Sequence, residues 1–274
     1  MSIIISSELV AAAAAPGSTI DLDAPIFGYE NFVASTAITA TTSNTSYPVT
    51  NLANPSTAAF WRALNTTTQY VTAIINPVQS IDYVGIARHN FKTAGVAVSV
   101  ETQTSSGAAW VEKIPAFIPA NNQTLIFRFV NATFYGVRVK LVATIAPAEM
   151  AVMYVGSILT STQRIYVGHN PITLNRKVDV INGQSENGNF LGRIITGSSL
   201  STSVSLTHLE PDWYRASFDP FVVAAQSYPF FFGWRPQSYP FECGYAWMTN
   251  NPEPSNMMPN GMMQVSIDMV GVST

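Results

Sequence analysis

The stretch Tyr47-Pro-Val-Thr-Asn-Leu-Ala-Asn-Pro55, followed by Phe60-Trp-Arg62 and then by Asp82-Tyr-Val-Gly-Ile-Ala-Arg-His-Asn90, decides the fold. Asn-Pro marks a turn, because proline fixes its own φ and pushes the residue before it out of the helical region. Tyr83 to Ala87 is a short, nearly continuous apolar run, the form that a buried strand takes. With the lone Trp-Arg these segments read as one face of a small β-sandwich, and no catalytic signature accompanies them.

Working outward, strand signals dominate residues 26–160. Thr68 to Ile75 is β-branched and ends at Asn76-Pro77, a turn. Val96 to Thr102 alternates, and Gly107 turns the chain into Ala109-Trp-Val-Glu-Lys113. Leu125, Phe127 and Phe129 share one strand face. Val137, Val139 and Leu141 share another, with Arg138 and Lys140 opposite. Strands at this spacing, separated by turn signals, indicate an antiparallel sandwich.

Three places in this half resemble the discoidin-like (galactose-binding-like) jelly roll found in many phage virion proteins. Thr57 to Arg62 is similar to the family's loop that carries a Trp into the core. Tyr135 to Leu141 resembles its Tyr-x-x-Val-Arg-Val-x-Leu strand, and Ala148 to Gly156 its closing strand. The resemblance implies a jelly roll over 26–160 and loops that in family members often hold sugars or lipids. It implies no particular ligand residues.

Beyond Ser161-Thr-Gln-Arg164 the texture changes. Arg176 to Ile181, the turn signal Asn187-Gly188 and Phe190 to Ile195 read as a hairpin of long strands. Pro211 and Asp212 suit a first helical turn, so a helix is expected over about 209–226, with Leu209, Trp213, Phe221 and Ala225 on its apolar side. Tyr228 to Pro236 and Gly244 to Met248 read as buried strands, and Gln264 to Val270 alternates. The expected fold is therefore mostly β: an N-terminal antiparallel jelly-roll sandwich over 26–160 and a C-terminal β-sandwich domain over 161–274 flanked by one helix. A sandwich with one helix resembles the tail-tube and distal-tail fold of long-tailed phages. There, long hairpins extend between neighbours to close a ring; residues 172–196 are the counterpart, with Arg176, Lys177, Phe190 and Arg193 as candidate oligomer contacts.

Residues 1–25 read as an N-terminal arm, either flexible or weakly helical, or else ordered on a neighbouring subunit. The arm lacks the positive start of a secretory signal, and Glu8 interrupts its apolar run. No window has the length of a membrane span, so no membrane insertion is expected.

Composition limits the chemistry. Charged residues make up 11% of the 274, against roughly 25% in ordinary soluble domains, which leaves little repulsion between copies. No Lys or Arg precedes Arg62, and no basic cluster suggests nucleic acid. Cys243 is the only cysteine and the three histidines are His89, His169 and His208. A zinc site is therefore not expected; Asp21, Asp23 and Glu30 match no calcium loop. No nucleophile elbow or phosphate-binding glycine motif occurs. We expect no catalytic residues, no cofactor and no metal. Trp61, Trp110, Tyr47 and Tyr70 are the candidates for stacking on a glycan, with core or rim packing as the plainer role of each.

The leading expectation is a structural component of a phage tail tip or baseplate: a virion protein made in the bacterial cytoplasm. It would form a ring, a hexamer or trimer, linking tail tube to tip proteins. The alternative is a carbohydrate-binding module that attaches to host-surface glycans.

Overall fold

The computed structural model describes residues 1–165 and 168–272. Along the chain run β1 (Ile3–Ile5), α1 (Ser7–Ala14), β2 (Ile26–Gly28), β3 (Ile38–Ala40), β4 (Trp61–Arg62), β5 (Gln69–His89), β6 (Ala97–Gln103), β7 (Val111–Phe117), β8 (Leu125–Val142) and β9 (Glu149–Gly156). Then come β10 (Leu159–Thr160), β11 (Arg176–Gln184), β12 (Phe190–Leu209), α2 (Pro211–Trp213), α3 (Asp219–Ala225), β13 (Phe230–Gly233), β14 (Cys243–Met248), β15 (Ser255–Asn256) and β16 (Met263–Gly271). The molecule is mostly β, with an N-terminal jelly-roll sandwich and a second sheet backed by a helical segment.

Two long strands build the jelly roll. β5 and β8 pair antiparallel along most of their length, but their register breaks between Ile74 and Gln79 and again between Ile81 and Tyr83. The cis Asn76-Pro77 bond lies in the first break. The turn expected there is thus a bend inside one strand rather than the end of it. Each long strand serves both layers of the sandwich. Layer I is β3, the first part of β5, the second part of β8, β6 and β7. Layer II is β4, β9, the second part of β5, the first part of β8 and, parallel to it, β1. Inward-facing Val71, Ala73, Val137, Val139 and Leu141 meet Val84, Ile86, Phe127, Phe129 and Met153 in one apolar core. The alternation expected for Val137 to Leu141 is present, with Arg138 and Lys140 on the outer face.

Layer II is buried on both sides. Its second face carries Tyr83, Ala87, Ile126, Val152 and Tyr154 against Phe231, Cys243 and Tyr245 of a third layer. That layer is the sheet β10-β2-β13-β14-β16-β12-β11. Its far face packs Phe230, Phe232, Val265, Ile267 and Met269 on Phe218, Phe221 and Ala225. The expected helix is present as α2 and α3 with a π turn over Tyr214–Phe218 between them.

Two expectations about segment placement differ from the structure. The N-terminal segment is no free arm. β1 pairs with Ile126–Arg128, the amides of Ser2 and Ile3 donate to the carbonyl of Pro240, and Ile3 is buried between layers II and III. Ser6 caps α1 by accepting from the Leu9 amide. Likewise β2, expected to open the jelly roll, pairs with β13 and β10 in the third layer. Short apolar runs such as Ile3–Ile5 and Ile26–Gly28 show that they are buried without showing by what.

Candidate functional site

Of the four aromatic candidates, the structure brings two together. Tyr70 on β5 and Arg138 on β8 point outward from layer I, and Trp110, just before β7, lies over Gly136. The Arg138 guanidinium sits between the rings, 4.4 Å from each centroid, and is ion-paired with Glu101 on β6. Gly136 lets the indole lie against the sheet: a Cβ there would come 3.0 Å from the Trp110 ring. Both rings are partly exposed. They form an outward platform of two aromatic rings with a cation and a carboxylate between and beside them. Apolar ring faces next to charged hydrogen-bonding groups suit a polyhydroxylated ligand.

The other two candidates lie apart from it. Tyr47 stacks on Phe60 at 4.3 Å and lies under Arg62, at the edge of layer II. Trp61 is 0% exposed, and its indole N–H donates to Thr42 O and Ser43 Oγ. It has no face to offer a sugar, because an indole inserted between two sheets is covered on both sides. This corrects its candidacy as a stacking residue.

The second candidate surface is the hairpin. β11 pairs with β12 from Arg176↔Leu200 to Gln184↔Phe190, around a turn in which Gly188 takes φ +77°. β16 pairs with β12 from Leu200 onward, so among the described residues, residues 190–199 have β11 as their sole strand neighbour. The ribbon projects about ten residues, roughly 30 Å at strand rise. Val180 faces Ile195 across it and Ile181 faces Ile194. Successive residues point to opposite sides, so the ribbon is apolar on both faces. Phe190, Leu191, Ile194 and Ile195 are each more than 60% exposed. Arg176, Lys177 and Arg193 lie along the same ribbon; Arg193 donates from Nε to Asn182.

His89, Cys243, Asp21 and Asp23 are each held by their surroundings. His89 Nδ1 accepts from the Phe91 amide, which leaves the proton on Nε2, donated to Gln123 O at 2.7 Å. Burial pushes its pKa down to about 4. Cys243 is buried and its thiol is pushed up to about 12 by desolvation, so no thiolate forms at neutral pH. Asp21 is held by Arg164 and Asp23 accepts from Ser238. Among the described residues no three His, Cys, Asp or Glu converge as a metal site.

No protein-family model and no curated protein matches the chain. Solved structures do. Chitosan-binding module 1 of a chitosanase/glucanase from Paenibacillus sp. IK-5 is 15% identical, with a TM-score of 0.42 over 47% of this chain and 99% of that one. The CBM32 of AlyQ, solved with 4,5-unsaturated mannuronic acid, is 15% identical with a TM-score of 0.37 over 43% of this chain and 92% of that one. CBM32-3 of a family 31 glycoside hydrolase from Clostridium perfringens is 12% identical, with a TM-score of 0.37 over 46% of this chain and 94% of that one. These neighbours are carbohydrate-binding modules, each similar to less than half of this chain.

Proposed function

We propose that the chain is a non-catalytic structural protein that assembles with copies of itself through the β11–β12 ribbon. The tail-tip or baseplate ring implied by the sequence resemblance is the assembly we favour. The observation that carries this reading is the ribbon itself. A two-stranded ribbon is marginal in water on its own, and one with exposed isoleucines on both faces loses the hydrophobic gain of burying either. Seating it against a neighbour recovers that gain on both sides. A second copy fits as the neighbour. The ribbon carries three cations (Arg176, Lys177, Arg193) to two carboxylates (Asp179, Glu186), whereas the chain as a whole has net charge −3. The test is mass by light scattering over a range of concentrations. We expect a discrete ring, trimer or hexamer, and loss of it in Ile181→Ser/Ile194→Ser. A wild-type protein that stays monomeric at every concentration overturns the reading.

A second reading, glycan binding, is favoured by the Tyr70–Arg138–Trp110 platform and is compatible with the first. A glycan array probed with wild-type protein and with folded Trp110→Ala and Tyr70→Ala decides it. Binding lost in both variants supports it. An empty array, or binding that neither variant weakens, removes it.

A further inference from the structure

Arg128 is a buried charged group with unpartnered donors. It lies on β8 in layer II, on the face turned away from the jelly-roll core, and is 5% exposed. Its Nε and Nη1 are buried and have no hydrogen-bond partner among the described residues. A guanidinium carries five donors, and leaving a buried charge without partners is costly. Asp82 is the nearby opposite charge and lines the same cavity as Arg128, its Oδ1 accepting from the Ile158 amide at 2.7 Å.

The small exposed part of Arg128 lines a cavity of ≈ 550 Å³. α1 supplies one wall with Leu9 and Ala12, and the 19–21 loop another with Thr19 and Ile20. β8 adds Phe129 and Asn131, and the joint between the two halves adds Thr160, Ser161 and Thr162. At the rim Asp21 is held by Arg164. The cavity thus combines the buried Arg128, two carboxylates (Asp82, and Asp21 paired with Arg164), hydroxyls, an amide and apolar patches. Arg128 suits the carboxylate of a sugar acid, the acidic, hydroxyl and amide groups suit its hydroxyls, and Leu9, Ala12 and Ile20 suit its C–H face.

We propose that this cavity binds a small hydroxylated carboxylate, a sugar acid or similar hydroxy acid, with its carboxylate on Arg128. The site is distinct from the Tyr70–Trp110 platform, which lies on the opposite side of the sandwich, and it does not depend on the ribbon.

The test is calorimetric titration of the full chain with D-glucuronate, with glucose as the neutral control and acetate as competitor. We expect glucuronate to bind, glucose not to, and acetate to displace glucuronate. Arg128→Met should weaken binding about tenfold or more, the loss of a charge-assisted contact. Should Arg128→Met fail to fold, Ile20→Trp, a substitution at a 42%-exposed position of the cavity lining, fills the space and should abolish binding while near-ultraviolet circular dichroism stays native. No heat with glucuronate, equal binding of glucose, no displacement by acetate, or undiminished binding in either folded variant overturns the proposal.

Discussion

Two buried titratable side chains in the jelly roll work against each other as pH changes. His89 has its pKa lowered from 6.5 to about 4 by burial. The unfolded chain therefore takes up that proton first. The contribution of His89 is fully present above pH 6.5 and is lost as pH falls toward 4, about 3 kcal/mol in all. Asp82 is the reverse. Burial raises its pKa from 3.8 to about 6, against the opposing pull of the Ile158 amide and Arg128. The fold holds that proton more tightly, so stability is greatest below 3.8 and falls as pH rises to about 6, again by about 3 kcal/mol. Single variants separate the two. Asp82→Asn keeps an oxygen for the Ile158 amide and cannot ionise. Its denaturation midpoint should match wild type near pH 3.5 and exceed it increasingly up to pH 7. His89→Gln keeps a donor for Gln123 and cannot take up a proton, so its advantage should grow as pH falls from 6.5 to 4. Urea midpoints at four pH values check both, and parallel wild-type and variant curves would contradict the assignment. Neither residue stood out in the sequence for this reason. A histidine at a strand end shows no sign of whether its ring is covered, because the cover, Gln123, is 34 positions away.

At the scale of elements, the sequence was most legible where one face is wet. Val137 to Leu141 and Gln264 to Val270 alternate, and both are strands with that facing. Strands covered on both sides carry no alternation to read. Met150 to Gly156 and Phe230 to Gly233 are continuous apolar runs, and each lies between two packed layers. Their partners are set by shape. Gly85 on β5 faces the Phe231 ring, where a Cβ would come within 2.6 Å of ring carbons. Gly85→Ala should therefore cost about 1–3 kcal/mol, the usual range for overpacking a filled core, measurable as a lowered urea midpoint. An unchanged midpoint would mean that layers II and III are looser than their packing indicates. The hairpin was legible as a hairpin from Asn187-Gly188. That it leaves the sheet is not written in its own residues, because it depends on where the described part of β16 pairs with β12, at Leu200. The candidate glycan residues divided for the same reason. Trp61 and Trp110 have similar neighbours in sequence, but one lies between the sheets and the other on top of Gly136.

For the whole molecule the question is whether the two halves are separate bodies. A boundary near residue 160 is expected from the sequence as a change of texture. In the structure, short N-terminal segments link the layers on either side of it. β1 runs beside β8 in layer II while its amides reach Pro240 in the third layer, and β2 sits wholly in the third layer. Three buried tyrosines lock the contact. Tyr83 donates to Glu30 O at 2.6 Å, Tyr245 to Pro55 O at 2.8 Å and Tyr154 to Pro229 O at 3.2 Å. A buried apolar interface with satisfied hydroxyls couples the halves, since opening it exposes both the rings and their hydrogen-bonding groups. We therefore expect one cooperative transition in calorimetry, with calorimetric and van't Hoff enthalpies that agree. Ile3, 1% exposed at that interface, provides the sharper test. Ile3→Ala should cost about 2–4 kcal/mol and lower the single transition as a unit. If the halves were independent, the same substitution would leave the third layer's melting untouched and split the trace into two peaks.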